Sequence, residues 1–174
     1  KPMARIVFDL DGTLIDSAPE IRAVINSLLQ DRGLDPLSLP EVISYIGNGA
    51  VVLLQKVCVT RGIDPAEQDA LLGQFEQRYA TPNGMTSLYP DVPEVLQVLR
   101  DHGHQLGLCT NKPIAPTLAA LDHLGLTGLF DQVLGGNSLP QRKPHPAPLQ
   151  AVFAGLGDGA MIYVGDSEGD AETA

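Results

Sequence analysis

The stretch RIVFDLDGTLIDSAPEI, residues 5–21, passes from an apolar run through an acidic turn into helical periodicity, and that succession decides the fold. Arg5 to Leu10 is apolar without helical spacing and reads as a buried strand. Asp11-Gly12-Thr13 ends it in a loop. From Ser17 the pattern changes: Pro19 and Glu20 open a helix whose Ile21, Val24, Ile25, Leu28 and Leu29 recur at three- and four-residue spacing up to Gly33.

Working outward, helical patterns span 40–46, 50–61 and 65–80, divided by Gly47-Asn48-Gly49 and Gly62-Ile63-Asp64. Beyond Pro82-Asn83-Gly84 helix and strand alternate: helices over 92–102, 113–124 and 147–156, strands over 106–109, 130–134 and 161–164. Such alternation predicts an α/β fold, a parallel sheet with helices on both faces, interrupted after its first strand by an all-helical insertion. The expected domains are a discontinuous core, 1–16 with 84–174, and a helical domain, 17–83. No helix is expected to cover the 161–164 strand before the chain stops at Ala174. The C-terminal part of the core is therefore expected to be missing here and the natural chain to continue. Met3 is expected to be the native start, with Lys1 and Pro2 as additions.

A net charge of −10 argues against nucleic acid or an anionic membrane as partner, because both are bound through clusters of Lys and Arg. A phosphate ligand would need local neutralisation. Nothing resembles a signal peptide, and no apolar run approaches the ~18 residues that span a bilayer. With Cys58 and Cys109 as its two cysteines, the chain is expected in a reducing cytoplasm. Monomer and homodimer both remain open.

Four polar clusters follow the C-terminal ends of predicted strands, where parallel α/β sheets gather their ligands. Asp9 and Asp11 flank Leu10, and in extended chain residues two apart face the same side. Like charges so placed raise at least one pKa, so one carboxylate can serve as an acid while the other stays ionised on a metal. Thr110-Asn111-Lys112, after the strand LGLC, offers a hydroxyl and backbone N–H groups to phosphate oxygens. Lys143 stands among Pro140, Pro144, Pro146 and Pro148, which stiffen and aim it. Gly165-Asp166-Ser167-Glu168-Gly169-Asp170 offers carboxylates to a hard cation such as Mg2+. Each cluster alone has a plainer reading: turn, helix cap, solvated lysine, acidic loop. Their joint occurrence at four strand ends is what points to chemistry. His102, His104, His123 and His145 are scattered and make no metal set with the cysteines.

These motifs resemble the haloacid dehalogenase superfamily of phosphatases, whose pattern is D-x-D-x-T, a Ser or Thr ending a strand, a Lys, and an acidic pair. The resemblance implies a Rossmann-like core and a helical cap at the insertion. It implies Asp9 as nucleophile, Asp11 as general acid and base, Thr13 as a supporting hydroxyl, Thr110 as phosphate ligand with Asn111 beside it, and Lys143 as charge stabiliser. Mg2+ would be held by Asp9, the Asp11 backbone carbonyl and Asp166, with Asp170 supporting. The strings FDLDGTLIDSAP, IGNGA, LGLCTNKP, KPHPAPL and VGDS look like the bacterial phosphoglycolate phosphatases, which implies 2-phosphoglycolate as substrate and the cap loop Gly47, Asn48, Gly49 and Ala50 as donors to its carboxylate. Asn137 departs from the Asp that such relatives often carry. Rival readings are a capped sugar-phosphate phosphatase, a β-phosphoglucomutase-like mutase, or a non-catalytic binding protein on the same scaffold.

Overall fold

In a computed structural model, which describes residues 3–174, four parallel strands lie side by side. They are β1 (Ala4–Phe8), β4 (Gln105–Cys109), β5 (Gln132–Leu134) and β6 (Ala160–Val164), in the order β5-β4-β1-β6. Lys1 and Pro2, the expected additions, lie outside the described residues. A separate two-stranded sheet pairs β2 (Ile15–Asp16) with β3 (Ser87–Leu88). The chain divides there into two compact units, residues up to Ile15 with Leu88–Ala174, and Asp16–Ser87.

In the sheet unit, side chains alternate between faces as a period of two requires. Ile6, Phe8, Leu106 and Leu108 pack with Leu96 of α5 (Val92–Asp101) and Leu121 of α6 (Ile114–His123). Val7 and Cys109 turn the other way, onto Leu149, Val152 and Phe153 of α7 (Ala147–Gly155). Both faces of β1 and β4 are therefore covered, which is why these two strands read as continuous apolar runs. The register pairs Phe8 with both Leu108 and Val164, and Leu108 with Val133. All four strands consequently end within one residue of one another, and the residues that follow them emerge along one rim.

The helical unit has its own core. Ile21, Val24, Ile25, Leu28 and Leu29 of α1 (Ala18–Gln30) pack with Leu53, Leu54 and Val57 of α3 (Gly49–Arg61) and with Leu71 and Phe75 of α4 (Gln68–Tyr79). Each such side chain contributes roughly 1.5–3 kcal/mol by leaving water. The short α2 (Leu39–Tyr45) begins on a capping box, with the Ser38 N–H donating to Glu41 Oε2 at 2.8 Å and the Glu41 N–H to Ser38 Oγ at 3.4 Å. The unit runs past the expected limit at residue 83. The buried carboxylate of Glu20 accepts the Asn83 N–H at 2.8 Å and the Thr86 hydroxyl at 2.6 Å, tying residues 83–86 to α1.

One strand boundary is corrected. The first strand stops at Phe8, not at Leu10, because the Leu10 carbonyl accepts from the N–H groups of Thr13, Leu14 and Ile15 and curls the chain into a tight loop. After β6 the chain forms one short helix, α8 (Glu168–Thr173), which starts on a capping box of Ser167 and Asp170. It leaves β6 largely bare, with Met161 65% and Ile162 45% exposed. Among the described residues no helix is long and apolar enough to cross a membrane.

Candidate active site

Asp9 is the first residue beyond β1, fixed there by its N–H, which donates to Val164 O at 2.9 Å. Its carboxylate is buried. Lys143 Nζ stands 3.0 Å from Asp9 Oδ1, and the Leu10 N–H donates to the same oxygen at 2.8 Å. The same ammonium donates to Asp170 Oδ1 at 2.7 Å and to the Tyr163 hydroxyl at 2.8 Å. Asp170 is fully engaged: Tyr163 O–H donates to Oδ1, while Oδ2 accepts from the Asp166 and Ser167 N–H groups and from Ser167 Oγ–H.

One cation thus faces two buried carboxylates, and the ionisation follows that imbalance. Burial alone would push Asp170 up, but hydrogen bonds from Lys143 and Tyr163 bring it down to about 2. Lys143, which burial alone would push down, is held above its ordinary value by Asp9 and Asp170 together. Asp9 is left with the surplus: burial, then the Asp170 charge and more weakly that of Asp11, raise it to about 8 against the pull of Lys143. Sequence reasoning expected like-charge repulsion between Asp9 and Asp11 to dominate. At Asp9 desolvation dominates instead.

Asp11 lies in the curled loop and not on extended strand, so its relation to Asp9 is set by that loop. Its Oδ1 is 3.3 Å from Lys112 Nζ, in a pair whose side chains are only 15% and 8% exposed. Thr13 Oγ1 donates to Asp166 Oδ1 at 2.8 Å. Between them Gly12 has φ +84°, and a Cβ there would sit 2.3 Å from Asp166 Oδ2. Glycine is what admits Asp166 to the loop.

The Thr110 hydroxyl accepts the Lys112 N–H at 3.1 Å, which leaves its own proton to donate. Asn111, the other expected phosphate ligand, sends Nδ2 to the Lys143 carbonyl at 3.0 Å, so its side chain ties the two loops together. Gly136 donates its N–H to Lys112 O at 2.8 Å, and a Cβ on it would stand 2.1 Å from the Asn111 carbonyl oxygen. Asn137, the departure from the family pattern, accepts the Ile114 N–H through Oδ1 at 2.8 Å at the start of α6. An Asp would accept the same bond. Gly47, Asn48, Gly49 and Ala50 lie in the helical unit: α3 starts at Gly49 with Asn48 as its N-cap, whose side chain makes no capping bond.

Asp9, Asp166 and Asp170 each offer an oxygen, all within 4.8 Å of one another. Oxygen donors so gathered fit a hard divalent cation. Asp170 is already saturated by donors, which favours Asp9 and Asp166 as ligands and Asp170 as the support of Lys143. Sequence reasoning missed Tyr163, which reads as one more apolar strand residue, and the pairing of Lys112, although LGLCTNKP contained it. Cys109, 0% exposed, has its thiol pushed up to about 11 by burial and packs in the core.

The chain is 48% identical to a phosphoglycolate phosphatase of Cereibacter sphaeroides over 99% of its own length and 80% of the relative's. It is 45% identical to a phosphoglycolate phosphatase of Rhodobacter capsulatus, over 97% and 78%. The crystal structure of a predicted phosphoglycolate phosphatase from Haemophilus somnus superposes with a TM-score of 0.87 at 37% identity, covering 98% of this chain and 80% of that one. The family model for haloacid dehalogenase-like hydrolases matches residues 6–174. This chain belongs to the haloacid dehalogenase-like hydrolase family.

Proposed function

We propose that the chain hydrolyses a small phosphate monoester, 2-phosphoglycolate to glycolate, with Asp9 as nucleophile and Asp11 as acid and base. The observation that carries this reading is the buried Asp9 carboxylate at a strand end with Lys143 3.0 Å away. The names of its relatives at 48% and 45% identity support the substrate.

Lys143 Nζ and the Leu10 N–H both hold Asp9 Oδ1, so Oδ2 is the oxygen left to attack phosphorus. Lys143 and the Thr110 hydroxyl stabilise charge on the phosphoryl oxygens as the bond to the leaving oxygen breaks. Asp11 gives its proton to that oxygen, and an aspartyl phosphate remains on Asp9. Asp11, now ionised, takes a proton from water, which attacks the phosphorus and frees phosphate. Asp9, Asp166 and the Asp11 backbone carbonyl would hold Mg2+, which supplies neutralisation of the phosphate charge. Thr13 steadies Asp166, and Asp170 steadies Lys143. The residues 16–87 act as a cap, and Gly47, Asn48, Gly49 and Ala50 contribute donors to the substrate carboxylate. The compartment we assign is the cytoplasm, in keeping with two buried free thiols, Cys58 and Cys109.

A panel of phosphate esters assayed with and without Mg2+ tests the reading. It expects Mg2+-dependent turnover with 2-phosphoglycolate preferred, and none for Asp9→Asn. Sugar phosphates as the best substrates would transfer the chain to a sugar-phosphate phosphatase or a mutase. Absence of turnover would leave a binding protein. If Asn48→Asp raises KM for 2-phosphoglycolate no more than for an ester without a carboxylate, the cap-loop role is wrong.

A further inference from the structure

Two cations serve this site, and the chemistry above uses one. Lys143 covers Asp9, the side on which phosphorus is attacked. Lys112 pairs instead with Asp11, its Nζ 3.3 Å from Asp11 Oδ1 and its side chain 8% exposed. Holding a lysine under cover costs solvation, so an ammonium kept there calls for a reason beyond the surface.

Its placement is enforced from several directions. The Lys112 N–H is taken by Thr110 Oγ1 at 3.1 Å. Its carbonyl accepts from the Gly136 N–H at 2.8 Å and the Thr117 hydroxyl at 3.3 Å. Gly135 packs under the same turn, where a Cβ would meet Ile114 N at 2.4 Å. The backbone that carries Lys112 is thus clamped between the phosphate-binding hydroxyl and the 135–136 turn, and the ammonium reaches Asp11 from a fixed base.

We infer that Lys112 is a specificity residue whose ammonium binds the carboxylate of the leaving group, so that this face of the site selects phosphate esters of 2-hydroxy acids. The inference rests on the proposed phosphatase reading and on Asp11 as its acid. Asp11 must touch the ester oxygen to protonate it. In 2-phosphoglycolate one methylene separates that oxygen from the carboxylate carbon, so a cation beside Asp11 is also beside the substrate carboxylate. A charge-assisted pair forms there under cover, where it is strongest.

The test uses the full chain with Mg2+ and two substrates that differ at one group, 2-phosphoglycolate and the monophosphate of ethylene glycol. For Lys112→Met the ratio of kcat/KM between the two falls about 10- to 100-fold from the wild-type ratio, carried by KM. Lys112→Arg restores part of it. A lysine that only steadies Asp11 or the loop would lower both substrates together, mainly in kcat, and leave the ratio unchanged; that result overturns the inference and leaves the phosphoglycolate reading standing. A wild-type chain that turns over phosphate esters but shows no preference for 2-phosphoglycolate over the ethylene glycol ester overturns both. Thermal unfolding of each variant separates a changed ratio from a misfolded chain.

Discussion

Asp170 Oδ1 accepts a hydrogen bond from Lys143 Nζ at 2.7 Å, shorter than the 3.0 Å between that ammonium and Asp9 Oδ1. Lys143 is therefore anchored by Asp170, and only thereby available to Asp9. Asp170→Asn removes the anchor charge and keeps the shape, and is expected to lower kcat by about 10- to 100-fold with a smaller change in KM. Asp170 sits at about 2, below the ordinary carboxylate value of 3.8, so its contribution to stability is present above pH 3.8 and lost as pH falls through about 2. Urea unfolding should accordingly show Asp170→Asn about 2–3 kcal/mol less stable than wild type at pH 7, with the gap narrowing toward pH 2.

Proton release should accompany Mg2+ binding. In the metal-free chain Asp9 titrates at about 8, so it carries a proton at neutral pH that a cation must displace. Calorimetry of Mg2+ binding at pH 7 in two buffers of different ionisation enthalpy should give heats that differ with the buffer. The apparent affinity should rise as pH climbs from about 6 to 8. Buffer-independent heats would show that Asp9 is already ionised.

The same raised pKa acts on stability with the opposite sign to Asp170. Its contribution is fully present below 3.8 and lost as pH rises through about 8. In chelator, Asp9→Asn should therefore flatten the decline in stability between pH 4 and 8, leaving a variant without turnover that is more stable than wild type at pH 8. Thermal melts with and without chelator check this.

Gly12→Ala should damage the site through Asp166. A Cβ would stand 2.3 Å from Asp166 Oδ2 on a backbone of φ +84° that alanine resists. Asp166 and its bond from Thr13 must shift. Mg2+ affinity should fall about tenfold or more in a titration of activity, while helix content by circular dichroism stays at wild-type level.

Much of this was legible in the sequence where a residue's role is local. The helices of the sheet unit and the strands from β4 onward lie within about two residues of their expected bounds, because apolar periodicity and Gly or Pro punctuation act over one turn or one pleat. α8 escaped, although Ser167 and Asp170 spell the capping box that starts it. What sequence could not supply was partnership across the fold. Asp11 with Lys112 and Tyr163 with Lys143 join residues that only the finished sheet brings together. The identity of the carboxylate that keeps its proton depends on burial, which no local string records.

Strand β1 pairs Arg5 with Gln105 on one side and Ala4 with Ala160 on the other. The centre of the sheet is thus made first and completed last. At translation rates of about 5–20 residues per second, β1 waits several seconds for its first neighbour and longer for its second. The residues 16–87 that emerge in that interval have short-range contacts and a core of their own, so they are able to fold while β1 is still unpaired. A chaperone that binds nascent chains would find its target in residues 4–10, the same ones that go on to carry Asp9.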